Sequence, residues 1–147
     1  MDRLKNADAW IIGTICASRV GAEKAVREFC ECIENGRTQL DLSSCGLISL
    51  PPEIGQLTSL KWFSCDNNQL TELPPEIGQL TSLEVLSCHN NQLTELPPEI
   101  GQLNSLKNLW CNNNQLPSDF NGNLTIEQKL ALIEKYFRRG RLTKAAR

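Results

Sequence analysis

The stretch "LTELPPEIGQLTSLEVLSCHNNQL", from Leu70 to Leu93, decides the fold because the chain repeats it. Its letters recur every 23 residues: Cys65, Cys88 and Cys111; Asn68, Asn91 and Asn114; Leu70, Leu93 and Leu116. Leu50, Leu73 and Leu96 keep the same period, as do Ile54, Ile77 and Ile100, and Leu57, Leu80 and Leu103. Leu40, Leu42, Cys45 and Leu47 are a diverged earlier copy, giving about four units. An internal period in the twenties, with leucines at fixed places, marks a solenoid, in which each unit buries its apolar face on its neighbours.

Each position has a physical reading. In Leu83 to Cys88, Leu86 and Cys88 point one way while Val85 and Ser87 point the other, as in a short strand with one buried face. Copies of that strand stack into a parallel sheet. Cys65, Cys88 and Cys111 occupy one buried column, where a thiol serves as a small hydrophobe. Asn68, Asn91 and Asn114 end the strands, and an inward amide there can satisfy bent backbone. Pro74 and Pro75 disfavour a further strand. Ile77 and Leu80, at i and i+3, fit a short helical or 3-10 turn with its apolar side inward. Gly78 is expected to allow a tight bend. Turns bulkier than strands bend the stack into an arc.

With these positions in hand, the chain resembles the leucine-rich repeat family over roughly residues 37 to 119. Leu83, Leu86, Cys88, Asn91 and Leu93 match the family segment L-x-x-L-x-L-x-x-N-x-L. Leu60, Phe63, Cys65, Asn68 and Leu70 match it too, and so do Leu106, Leu109, Cys111, Asn114 and Leu116. The "LPPEIGQL" half is similar to the bacterial, notably cyanobacterial, form of the repeat. Ras-suppressor-like proteins and the repeat regions of Roco-type GTPases carry similar units. The resemblance implies an asparagine ladder, from which Cys45 departs at the first unit with the loss of a rung. It also implies a function in interaction rather than reaction.

The expected fold class is therefore α/β: a short open-arc solenoid with parallel strands on the concave face. Short helical or 3-10 turns line the convex face, and helical caps close both ends. The expected layout is one domain over residues 1–147. Residues 1–36 form an N-terminal helical cap, 37–119 the repeats, and 120–147 a C-terminal helical cap with a basic tail.

Within the first cap, residues 22–34 read as a helix with Val26, Phe29, Cys30 and Ile33 on one face, ended by Asn35-Gly36. Cys30 and Cys32 face different ways on that helix and have no companion pair, which argues against a metal site. Leu4 to Ala17 reads as a short packed helix. At the other end, Thr125 and Gln128 form a capping box. Ile126, Leu130, Ile133 and Phe137 then form a stripe on a helix ending near Gly140.

The 147 residues are 40% hydrophobic and carry a formal net charge of -2, which suits one packed core and gives no general attraction to nucleic acid. Arg138, Arg139, Arg141, Lys144 and Arg147 read as a solvated basic tail. No apolar run is long enough to span a bilayer, and "AWIIGTICA" (residues 9–17), with charges before it and Gly13 inside, reads as a packed segment rather than a signal. Seven cysteines, an odd number with three at one repeat position, point to free thiols in a reducing, cytoplasmic setting.

The copies differ in few letters. Residues 71–93 and 94–116 differ at five places: Thr81/Asn104, Glu84/Lys107, Val85/Asn108, Ser87/Trp110 and His89/Asn112. The last three named differences, Val85/Asn108, Ser87/Trp110 and His89/Asn112, face away from the core. Three rows follow on the concave face: Gln39, Trp62, Val85, Asn108; then Asp41, Ser64, Ser87, Trp110; then Ser43, Asp66, His89, Asn112. The expected partner-binding residues are Trp62, Ser64, Asp66, Val85, Ser87, His89, Asn108, Trp110 and Asn112. Tryptophan is a frequent interface anchor, so Trp62 and Trp110 lead. His89 beside Asp66 offers two parts of a triad, but Ser64 and Ser87 stand on an open strand surface without an elbow or oxyanion donors. No phosphate loop, metal ligand set or cofactor motif is present.

The expected function is a non-enzymatic protein-interaction module whose concave sheet recognises a protein partner of unknown identity. The alternative is a structural or self-assembling protein, or a regulatory piece of a signalling system, making contact through its end helices or convex turns.

Overall fold

The computed structural model describes residues 19–121 and 124–145, and the expected helix over Leu4 to Ala17 lies outside them. Helix α1 (Arg19–Asn35) opens the described chain. Four three-residue strands follow: β1 (Gln39–Asp41), β2 (Trp62–Ser64), β3 (Val85–Ser87) and β4 (Asn108–Trp110). Each of the first three is joined to the next through a 3-10 turn: η1 (Pro52–Gln56), η2 (Pro75–Gln79) and η3 (Pro98–Gln102). After β4 the short η4 (Ser118–Phe120) leads into helix α2 (Ile126–Ala145).

The strands form one parallel sheet in chain order, and the repeat period sets its register. Gln39 pairs with Trp62, Trp62 with Val85, and Val85 with Asn108. Asp41, Ser64, Ser87 and Trp110 align in the same way. The sheet lines the concave side of the open arc and the 3-10 turns line the convex side. Backbone bonds continue beyond each strand, from Leu42 N–H to Ser64 O (2.8 Å), Cys65 N–H to Ser87 O (2.9 Å) and Cys88 N–H to Trp110 O (2.7 Å).

The proline pairs build the turns. In the middle repeat Pro74 is extended, at φ -69° and ψ 147°, because a following proline excludes the helical region. Pro75 then occupies the first helical turn, where its missing N–H costs nothing. In the first two turns the glycine has a different use from the expected bend. A Cβ on Gly78 would lie 2.7 Å from Glu99 O, so its bareness lets η3 stack against η2. Gly55 faces Glu76 O in the same manner, at 2.9 Å, while nothing lies within 4 Å of a Cβ on Gly101.

The core is a set of columns: Leu60, Leu83 and Leu106; Phe63, Leu86 and Leu109; Ile54, Ile77 and Ile100; Cys65, Cys88 and Cys111. The asparagine ladder ties these layers together. Asn91 Oδ1 accepts Leu70 N–H at 3.1 Å, and its Nδ2 donates to Cys65 O at 3.0 Å and Cys88 O at 3.1 Å. Asn68 and Asn114 repeat the pattern one layer to either side. Position 45 lacks an amide, and helix α1 stands where a preceding repeat would be. A Cβ on Gly21 would lie 1.9 Å from Cys45 O, so the cap helix sits directly on that backbone.

Helix α1 begins three residues before the expected start and ends at Asn35, with Gly36 at φ +58°. Ala25 and Cys32 join Phe29 and Cys30 in the core, while Val26 and Ile33 pack at its margin. Helix α2 carries the capping box, with Thr125 N–H on Gln128 Oε1 (2.9 Å) and Gln128 N–H on Thr125 Oγ1 (3.2 Å). It continues past Gly140 to Ala145, because one glycine costs about 1 kcal/mol and good helix formers follow it. Its packed face also differs. Tyr136 stacks on Phe120 with ring centroids 6.1 Å apart, and Phe137 is left toward the outside.

Candidate concave recognition face

Register and alternation place all nine expected residues on or beside the concave side of the sheet, at differing depths. Trp110 is 48% exposed, and Asn108 and Asn112 beside it are also exposed. Trp62 and Val85 are half-buried. Trp62 lines a cleft at the N-terminal end of the face, together with Glu28, Arg37 and Asp41. Arg37 there is held by Glu31 and, at 3.8 Å, by Glu28.

Ser64 and Ser87 depart from the expected exposed surface, at only 2% and 1% exposed. Both are small, and the longer Asp66 and His89 side chains of the next row reach their hydroxyls. Their hydroxyls converge on one carboxylate: Ser64 Oγ donates to Asp66 Oδ2 at 2.7 Å and Ser87 Oγ to Asp66 Oδ1 at 2.6 Å. His89 Nδ1 completes the group, 3.0 Å from both Asp66 Oδ1 and Ser87 Oγ. The cluster is polar but nearly sealed, with the Asp66 side chain 13% exposed and that of His89 28%.

This arrangement does not perform triad chemistry. A triad needs the nucleophile on one imidazole nitrogen and the carboxylate on the other. Here both address Nδ1, and the Ser87 proton is already donated to Asp66. Among the described residues, no three His, Cys, Asp or Glu side chains are grouped to hold a metal ion. No described helix is long and apolar enough to cross a membrane.

At the N-terminal edge, Asp41 Oδ1 accepts the Ser43 N–H at 2.9 Å and the Ser43 hydroxyl at 2.5 Å. Partial burial pushes the Asp41 carboxyl up, but those bonds and the Lys24 charge together hold it below the ordinary carboxylate value. Behind the face, burial pushes the Cys65 and Cys88 thiols well above their ordinary value, with the Asp66 charge acting in the same direction. Burial likewise pushes Cys32 up to about 11, against the opposing pull of Arg37. All six described cysteines are buried.

Three features of this region went unread in the sequence. Glu84 pairs with Lys107 across the strands at 3.3 Å, although their alignment in the repeat was available to show it. Asn67, Asn90 and Asn113 form an outer ladder, joined Nδ2 to Oδ1 at 2.7 Å per step. Their backbones lie at φ 56°, 56° and 55°, a left-handed conformation that asparagine tolerates better than most residues. The doubled Asn-Asn was the signal, one amide for the inner ladder and one for the outer. Finally, Lys129 Nζ of α2 donates to Leu109 O at the open edge of β4, where the next strand of a longer sheet would pair.

The family profile described as "Leucine-rich repeat region" matches residues 38–143. No curated protein matches the chain. Among solved structures, a leucine-rich repeat protein of Leptospira interrogans is similar at 33% identity with a TM-score of 0.50. That likeness covers 71% of this chain and 30% of the other. The leucine-rich repeat domain of the type III effector XopL is similar at 25% identity with a TM-score of 0.60, covering 78% of this chain and 40% of that one. The chain thus spans less than half the length of either structure. With the parallel sheet, the 3-10 returns and the asparagine ladder, the match over residues 38–143 shows that the chain belongs to the leucine-rich repeat family.

Proposed function

We propose that the chain is a non-enzymatic protein-interaction module that recognises a protein partner through its concave sheet. The observation carrying this reading is Trp110. A large indole stands 48% exposed on a strand face, on a scaffold whose core letters are constant and whose outward letters vary. Exposed aromatics with polar neighbours are the usual composition of an interface centre. Trp62, Val85, Asp66, His89, Asn108 and Asn112 surround it as the contact set. Ser64 and Ser87 support Asp66 from below. The layout read from the sequence, a single domain with caps at 1–36 and 120–147, belongs to this proposal. So do the reducing cytoplasmic setting, to which the odd count of seven cysteines and the buried Cys65, Cys88 and Cys111 column lend support, and the finer likeness to Ras-suppressor-like and Roco-type repeats, which rests on "LPPEIGQL".

The test is affinity capture from the source organism's lysate under reducing conditions, comparing wild type with Trp62→Ser/Trp110→Ser after both are shown to be folded. Partners retained by wild type and lost by the variant support the reading. Equal recovery by both overturns it and moves the contact to α1, α2 or the convex turns.

A further inference from the structure

The sealed cluster assigns a proton. A carboxylate oxygen has no hydrogen to give, so the 3.0 Å contact between His89 Nδ1 and Asp66 Oδ1 is favourable only with the hydrogen on Nδ1. The Ser87 hydroxyl has one hydrogen and places it on Asp66 Oδ1, 2.6 Å away. Its lone pair is what remains for Nδ1, and that also requires a hydrogen on Nδ1. The Asp66 contact therefore selects one tautomer, and the Ser87 contact fits the same one, as a second hydrogen bond does for any functional imidazole.

The other nitrogen follows. In the neutral ring Nε2 is a lone-pair acceptor. It meets no hydrogen-bond partner among the described residues, while Nδ1 faces a nearly sealed network. The 28% exposure of this side chain therefore belongs to the far edge of the ring. By the repeat period His89 falls in the row of Asn112, which stands two residues from Trp110. The Asp66 charge behind the ring strengthens Nε2 as an acceptor.

We infer that His89 Nε2 is a specificity-determining acceptor of the concave face, held outward by Asp66 and Ser87, and that it takes a hydrogen-bond donor side chain of the protein partner. Asp66 is the positioning residue. The Asp66 carboxylate behind the ring favours positive charge, so a lysine or arginine donor suits the site better than a neutral one. This inference rests on the concave reading for its partner, but the tautomer stands or falls without any partner.

The single histidine makes the test direct. Long-range proton–nitrogen NMR above the titration range of histidine should show Nδ1 protonated and Nε2 bare in wild type. Ser87→Ala should keep that pattern, because Asp66 remains. Asp66→Asn should lose it, because the asparagine amide can turn its NH2 toward Nδ1. Diethyl pyrocarbonate should modify Nε2 in the folded protein. A wild-type ring protonated on Nε2 overturns the inference, and so does a ring that reacts only after unfolding. With a captured partner, the Nε2 resonance should shift in the complex. An unmoved resonance overturns the His89 contact while leaving the tryptophan result intact.

Discussion

The side-chain amide of Asn91 reaches back across a repeat boundary to the carbonyl oxygen of Cys65, 3.0 Å away. The same amide serves its own layer through Cys88 O and accepts the Leu70 N–H. Asn91→Ala would leave the buried Leu70 N–H unpaired and take one of two amide donors from each of Cys65 O and Cys88 O, which keep Asn68 and Asn114. At about 1–3 kcal/mol for the unsatisfied N–H and about 0.5–1 kcal/mol for each lost carbonyl bond, a loss of roughly 3 kcal/mol is expected. Asn114→Ala, at the less buried last rung, should cost less. Urea titration of the two variants checks the order, and equal losses would show that the ladder is not set by burial.

Gly78 and Gly101 occupy the same place in identical turns, yet only Gly78 has a neighbouring backbone against it. Gly78→Ala should cost about 1–3 kcal/mol, because Glu99 O stands where the new methyl would go. Gly101→Ala should be neutral or stabilising by about 0.5 kcal/mol through the unfolded chain. Thermal melts of both variants decide the matter. A destabilised Gly101→Ala contradicts the open end of the stack.

The buried thiols give an alkaline dependence. The folded state holds Cys65 and Cys88 protonated far above the ordinary value of 9.0, while the unfolded chain ionises there. Above that value the unfolded state binds fewer protons, so stability is full below it and falls as pH rises. Urea midpoints between neutral and alkaline pH should decline, and less steeply in Cys88→Ala. In the folded protein at neutral pH, the six described cysteines should resist a thiol reagent. Prompt labelling of Cys65 or Cys88 would contradict their placement.

Asp41 gives the acid counterpart. Its carboxyl is held below the ordinary value, so its contribution is present above the unfolded-state value, 3.8, and is lost as pH falls through the folded one. Asp41→Asn keeps an oxygen for the Ser43 N–H but no charge to protonate. Its melting temperature should depend less on pH below about 4 than that of wild type. Identical acid slopes in the two proteins would remove Asp41 from the account.

Much of this was legible in advance, for a physical reason. A constant period fixes the register of every strand pair, so the adjacency of Asp66 and His89 followed from spacing alone. Alternation gives the direction of a side chain, however, and not its depth. Ser64 and Ser87 point to the concave side as their parity requires, but they are shorter than the residues around them and are covered. Direction also could not tell Tyr136 from Phe137 on α2, because adjacent residues on a helix both border an apolar stripe. The contact with Phe120 chose between them. Gly78 suggested a bend on its own, and only the neighbouring turn reveals a clearance.

The register Gln39–Trp62–Val85–Asn108 also bears on how such a gene changes. Insertion or deletion of one whole unit of 23 codons returns every column to its place, so unequal recombination between these near-identical copies lengthens or shortens the concave sheet while keeping its register. Any other length shifts leucines off the core. Each duplication also brings a fresh set of three outward letters, free to diverge. The concave face is therefore lengthened or shortened in whole steps, while its surface chemistry drifts residue by residue.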